Sequence, residues 1–212
     1  MSNPPTTEVK ICGLKTPELV KVAANAGADY IGFNHYPKSP RFVDPAIAQD
    51  IAKTLPPTMQ SVALFVNPED EAIKAASWAN WIQLHGSESP ARCEDIRKLT
   101  GARLLKALPV SEASDLTIAD TYGQSVDMLL FDSKPHELPG GNGIAFDWHL
   151  LQNASFHLPW MLSGGLNPEN VAEAIEVSGA TRVDVASGVE ISRGEKSADL
   201  IRAFIKAAKE QG

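Results

Sequence analysis

Lys10-Ile11-Cys12-Gly13 closes the first apolar run of the chain and places a thiol where a strand stops and a helix starts. Val9 and Ile11 are strand residues by type, and the short loop from Gly13 leads to Thr16, an N-cap, and Pro17, whose missing N–H is harmless at the first helical position. A thiol there can serve as a base if its surroundings favour ionisation; otherwise Cys12 is a small buried hydrophobe. A second candidate group comes late in the chain. Ser163-Gly164-Gly165 and Ala186-Ser187-Gly188 each follow an apolar run and precede a helix start. Glycine admits close approach of the backbone, and successive N–H groups beside a helix terminus attract an anion without net positive charge. The segments 162–167 and 183–190 contain no lysine or arginine. Together they look like the two halves of a phosphate cradle built from backbone, whereas Gly164-Gly165 alone would read as an ordinary turn.

The elements that must hold these residues have a regular rhythm. Apolar runs occur at Val9–Ile11, Tyr30–Phe33, Val62–Val66, Trp81–Leu84, Leu104–Leu108, Met128–Phe131, Trp160–Leu162 and Val183–Val185, with helical stretches between them. That alternation predicts βα units around a parallel sheet. A capping residue followed by proline marks helix starts at Thr16-Pro17, Asp44-Pro45, Asn67-Pro68, Ser89-Pro90 and Asn167-Pro168, and Gly27 and Gly179 stand just past helix ends. An open doubly wound sheet would carry its glycine fingerprint after the first strand. Here the dense glycines come after the seventh and eighth runs, where barrels place a phosphate site. The expectation is one (β/α)8 TIM-barrel domain over residues 8–212, preceded by a frayed tail over residues 1–7. Two connections are long, Asn34 to Val43 and Ser133 to Ala145, and both follow strand C-termini.

Composition narrows the class. The chain has 212 residues, 43% hydrophobic and 21% charged, with no apolar run long enough to span a bilayer. The formal net charge of -7 argues against a nucleic-acid partner, which requires a basic face. The tail has no apolar h-region, so the cytoplasm is the expected location. Cys12 and Cys93 are too few for a disulfide framework and too isolated for a zinc site.

The strand ends spell an ordered pattern. Lys10-Ile11-Cys12-Gly13, Ser39-Pro40-Arg41, Phe65-Val66-Asn67, Gln83-Leu84-His85-Gly86, Leu130-Phe131-Asp132 and Phe146-Asp147-Trp148 are followed by segment 163–171, beginning Ser163-Gly164-Gly165, and segment 183–190, ending Gly188-Val189-Glu190. The set resembles the phosphoribosylanthranilate isomerase family of tryptophan biosynthesis, from Val9 to the last helix. The resemblance implies a cofactor-free, metal-free (β/α)8 barrel that performs an Amadori rearrangement of N-(5-phosphoribosyl)anthranilate. Its partner would be that small phosphorylated molecule, with no membrane or nucleic acid involved, in a monomer or a homodimer.

Opening a furanose to an imine needs an acid at the ring oxygen, and forming the enolamine needs a base at C2. The resemblance assigns the acid to Asp132 and the base to Cys12. A free thiol ionises near about 8.5, so Cys12 needs a supportive field, which the adjacent helix start is expected to supply. Arg41 would take the anthranilate carboxylate with its planar fork. Gly164, Gly165, Ser187 and Gly188 would hold the phosphate, Asp184 the sugar hydroxyls, and His85 would touch the substrate. A bulky side chain at Gly165 or Gly188 would block phosphate while the fold persists. Pro139 to Gly143 reads as a hinge that could close over substrate, with Asn142 where the family usually has threonine. Asn34-His35 replaces residues that are usually apolar, and His35 is expected to face solvent. Lys38 reads as a surface charge, and Cys93 has no role. The same architecture could carry an indole-glycerol-phosphate synthase relative, for which Lys10 and Lys106 are the available strand-end lysines; a non-catalytic sugar-phosphate binder would lack the Cys12 and Asp132 pair.

Overall fold

Every apolar run is a strand in the computed structural model, which describes residues 6–134, 146–152 and 154–210. The strands are β1 (Glu8–Cys12), β2 (Tyr30–Asn34), β3 (Gln60–Phe65), β4 (Trp81–Leu84), β5 (Arg103–Val110), β6 (Met128–Ser133), β7 (Trp160–Leu162) and β8 (Arg182–Val185). They pair in chain order and close as a barrel. The closing seam is parallel, with Lys10 opposite Asp184 and Ile11 opposite Val185. Alternation along each strand sorts the side chains into two cores. Val9, Ile11, Ile31, Phe33 and their counterparts face outward to the helices. Tyr30, Val62, Trp81, Leu105, Met128, Leu130 and Met161 pack among themselves in the barrel interior.

The helices are α1 (Pro17–Ala26), α2 (Pro45–Ala52), α3 (Asp70–Lys74), α4 (Pro90–Thr100), α5 (His149–Gln152), α6 (Val171–Ser178) and α7 (Ala198–Lys209). Thr16, Asp44 and Ser89 accept N–H bonds from Leu19, Ala46 and Arg92 as N-caps, each followed by proline. Gly27 and Gly179 close α1 and α6 in the left-handed conformation. The other two capping pairs differ. Asn67 has φ 46°, and its Oδ1 accepts from Ser87 N–H, so it braces the next loop while α3 starts after Glu69. Asn167 Oδ1 accepts from Glu169 and Asn170 and forms a turn ahead of α6. An Asn side chain bonds the nearest amides whether or not a helix follows. The fifth unit has a 3-10 segment, Ala113–Tyr122, in place of an α-helix; its Asp, Thr and Ile residues are weak helix formers. The chain also forms an unforeseen hairpin, β9 (Glu190–Ser192) and β10 (Glu195–Lys196), turning at Gly194 with φ 86°. Among the described residues no helix is long and apolar enough to cross a membrane.

One buried carboxylate ties three strand ends together. Glu88 accepts from Asn67 N–H at 2.7 Å, from Gly86 N–H at 3.0 Å and from Lys106 Nζ at 2.8 Å. Tyr122 Oη donates to the Glu88 carbonyl at 2.9 Å. Lys106, on β5, is therefore committed to holding the loops after β3 and β4. Glu88→Gln leaves the buried Lys106 ammonium without its counter-charge, and the expected loss is about 3–5 kcal/mol of unfolding free energy. Urea denaturation checks this, and a loss under about 1 kcal/mol would assign the pair no stabilising role.

Candidate active site

A cavity of about 310 Å³ opens at the C-terminal ends of the strands. Cys12, Arg41, His85, Asp132, Gly164, Gly165, Asp184 and Ser187 all line it. Gly188 sits one residue outside. A larger hollow, of about 610 Å³, lies over Asn67, Asp70, Glu71 and Arg92 and contains none of the candidates.

Cys12 ends β1 almost completely buried. Its neighbour across the pairing is Gly32, where a Cβ would come within 2.8 Å of Cys12 Sγ and 3.2 Å of Lys10 Nζ. The missing side chain therefore keeps thiol and ammonium around one small gap. Lys10 is fully buried and donates to Asp184 Oδ1 at 2.8 Å, while Ser163 Oγ donates to Asp184 Oδ2 at 3.2 Å. Burial pushes the Cys12 thiol up, and the Lys10 and Lys196 ammoniums pull against it. The expected thiolate-favouring field thus comes from two lysines rather than a helix start, and desolvation outweighs it. Burial also disfavours the Lys10 charge, yet Asp184 and Cys12 hold its ammonium above the ordinary value.

Asp132 stands on β6, with His85 Nε2 at 3.2 Å from its Oδ2. Gln83 Nε2 lies 3.1 Å from His85 Nδ1. If the Gln83 amide donates there, Nε2 carries the imidazole proton and donates to Asp132. Gly164 has φ 90°, and a Cβ on it would strike the Ser133 amide and come within 2.9 Å of Asp132 Oδ1. That glycine is required by its conformation and by the close approach of β6.

Arg41 crosses the end of β1 over Gly13, whose Cβ would lie 2.9 Å from Arg41 Cδ. Its Nε donates to Glu190 Oε1 at 2.6 Å and its Nη2 to Glu190 Oε2 at 2.8 Å. One edge of the fork is thus engaged within the protein, leaving Nη1 and a second Nη2 hydrogen. Sequence reading missed Glu190, because nothing local signals a partner 149 positions away. Lys38 is exposed, as expected.

The backbone N–H groups of Gly165, Ser187 and Gly188 donate to no protein acceptor among the described residues. Two expectations about these loops need correction. Ser187–Val189 is a single 3-10 turn followed by the hairpin, so α7 does not start there. A Cβ on Gly188 would run into the Leu166 carbonyl, so valine at this position breaks the packing of one loop on the other and does not leave the fold intact. His35 also departs from expectation. It is buried at 6% exposure against Phe65 and Trp78, its Nδ1–H donates to the Val43 carbonyl at 2.9 Å, and its Nε2 has no partner among the described residues. Two aromatic walls and one carbonyl explain why it turns inward. Cys93 is buried in α4, away from the cavity, its thiol pushed up to about 11 by burial. The Pro139–Gly143 hinge and Asn142 lie outside the described residues.

With that geometry in view, the chain matches the family model for N-(5'-phosphoribosyl)anthranilate isomerase over residues 9–207. It is 47% identical over 208 residues to the N-(5'-phosphoribosyl)anthranilate isomerase of Paramagnetospirillum magneticum, covering 95% of this chain and 97% of the relative. The crystal structure of phosphoribosyl anthranilate isomerase from Thermotoga maritima superposes with a TM-score of 0.87 at 41% identity, covering 96% of this chain and 99% of that one. A further isomerase structure, in complex with reduced 1-(o-carboxyphenylamino)-1-deoxyribulose 5-phosphate, superposes at TM-score 0.83 and 38% identity, with coverage of 96% and 99%.

His35 yields a test of the geometry. Burial holds its imidazole below the ordinary value, against the opposing pull of the Val43 carbonyl and Asp44. The unfolded chain takes up this proton near about pH 6.5 and the folded chain only at lower pH, so stability is fully present above that pH and declines below it. His35→Phe should lose less stability than the parent chain between pH 7 and pH 5, read as urea midpoints. Equal losses would mean that His35 is already solvated.

Proposed function

The chain belongs to the N-(5'-phosphoribosyl)anthranilate isomerase family, and we propose that Cys12 and Asp132 carry its acid–base chemistry. The reaction is the Amadori rearrangement of N-(5-phosphoribosyl)anthranilate to 1-(2-carboxyphenylamino)-1-deoxyribulose 5-phosphate, a step of tryptophan biosynthesis. The observation that carries the assignment is that a thiol from β1 and a carboxyl from β6 face one cavity.

Asp132 donates a proton to the furanose oxygen as the C1–O bond breaks, giving the open-chain iminium. Cys12 then removes the C2 proton to form the enolamine, and ketonisation gives the product with no net change in protons. His85 Nε2, at 3.2 Å, steadies the Asp132 carboxylate once its proton has left. Lys10 and Lys196 favour the thiolate that must form in a dry pocket. The amides of Gly165, Ser187 and Gly188, which donate to no acceptor among the described residues, take the phosphate, Asp184 orients the sugar hydroxyls, and Arg41 holds the anthranilate carboxylate. A phosphate held by fixed N–H dipoles needs no basic surface, which fits an acidic chain. The working form is a monomer or a homodimer in the cytoplasm. Lys10 and Lys106 are tied to Asp184 and Glu88, which leaves neither free for synthase-type lysine chemistry.

Cys12→Ala and Asp132→Asn should each lower the rate of the chemical step by at least about 10²-fold, with circular dichroism unchanged. Cys93→Ala, the control thiol, should turn over normally. Loss of phosphoribosylanthranilate fluorescence measures this, and a Cys12→Ala enzyme keeping more than a tenth of parental turnover would place the base elsewhere.

A further inference from the structure

Two residues outside the cavity form an ion-pair group with the arginine inside it. Glu190 receives Nε and Nη2 of Arg41, but its Oε1 also lies 2.9 Å from Lys196 Nζ, and Gly194 N–H donates to its Oε2 at 3.0 Å. Lys196 Nζ in turn donates to the Ala186 carbonyl at 2.7 Å. The side chains of Glu190 and Lys196 are 5% and 1% exposed, against 21% for Arg41. The hairpin that bears them packs on the loop that bears Arg41, since a Cβ on Gly194 would lie 2.8 Å from the Pro40 carbonyl oxygen. The Arg41 amide is itself pinned by Ser39 Oγ at 3.1 Å.

Charge and geometry point the same way. One carboxylate between two cations leaves the group with a single positive charge, and of the three side chains only Arg41 lines the cavity. Glu190 occupies the Nε edge, so the donors that remain for a ligand are those of the Nη edge, whose two parallel N–H groups match a carboxylate. We propose that Glu190 and Lys196 are positioning residues for Arg41, orienting its Nη edge, keeping its charge unspent and tying it to the Ala186–Ser187 loop, so that recognition of a ligand's aryl carboxylate depends on them. This rests on the reading of Arg41 as the carboxylate contact. It also joins the two anion-recognising ends of the cavity through Lys196.

The test uses two stable probes, the reduced carboxyphenylamino-deoxyribulose 5-phosphate and its counterpart without the carboxyl group, titrated calorimetrically into the intact enzyme and its variants. Glu190→Gln keeps the shape but loses the charge that orients Arg41. It should weaken the carboxylate probe by about tenfold, the scale of one hydrogen bond to a charged group, and the other probe by less than about twofold. In turnover the change should fall on KM more than on kcat. Lys196→Met, which lets Glu190 neutralise Arg41, should show the same selectivity and decides the matter if Glu190→Gln does not fold. Equal weakening of both probes by either variant, or a fall in kcat at unchanged KM in Glu190→Gln, overturns the proposal; Lys196→Met is read by probe binding alone, because its ammonium also acts on Cys12. Arg41→Lys separates the two readings. If it spares the carboxylate preference, the assignment of Arg41 falls and this inference with it; if it abolishes the preference while Glu190→Gln does not, the inference alone falls.

Discussion

Lys10 and Asp184 face each other across the seam where β1 meets β8, and their 2.8 Å bond is the interaction around which the site is built. A parallel barrel must return its last strand to its first, and here the two strands that close it carry opposite charges at one register position. An ammonium wholly inside a protein costs several kcal/mol unless a counter-charge meets it. The pairing that closes the ring therefore also makes the charge tolerable. Cys12 is two residues further along the same face, so its electrostatic surroundings are set by the seam together with Lys196 of the hairpin.

The site spends its charges inward. Asp184 takes Lys10 and a hydroxyl, Glu190 takes Arg41 and Lys196, and Glu88 takes Lys106 with two amides. Each carboxylate is multiply bonded, which offsets the cost of burying a polar group. The cationic surplus beside Arg41, and late-loop amides that donate to no acceptor among the described residues, lie within an otherwise acidic chain.

Strand positions, three of five helix caps and both glycine helix ends were legible in the sequence, because each depends on residues within one turn or one alternation. Asn67 and Asn167 misled because the same side-chain amide can cap a turn as well as a helix. The resemblance drew Cys12, Asp132, Arg41, His85 and the glycines to one mouth, and the structure gathers all but Gly188 around the cavity. What stayed hidden is what connects them. The Arg41–Glu190 bond joins stretches 149 positions apart and the Lys106–Glu88 bond joins two neighbouring βα units, and no local periodicity encodes either. His35 was misread for a related reason: its burial is decided by Phe65 and Trp78, which arrive from other elements.

The interior layer of Tyr30, Val62, Trp81, Met128 and Met161 plugs the barrel below the site. Among the described residues the cavity is therefore closed at its floor and opens at the C-terminal ends of the strands. Substrate and product must share that mouth, so the next substrate waits on the departure of the last product. Traffic through this enzyme is in series, and whatever speeds the exit also opens the entrance.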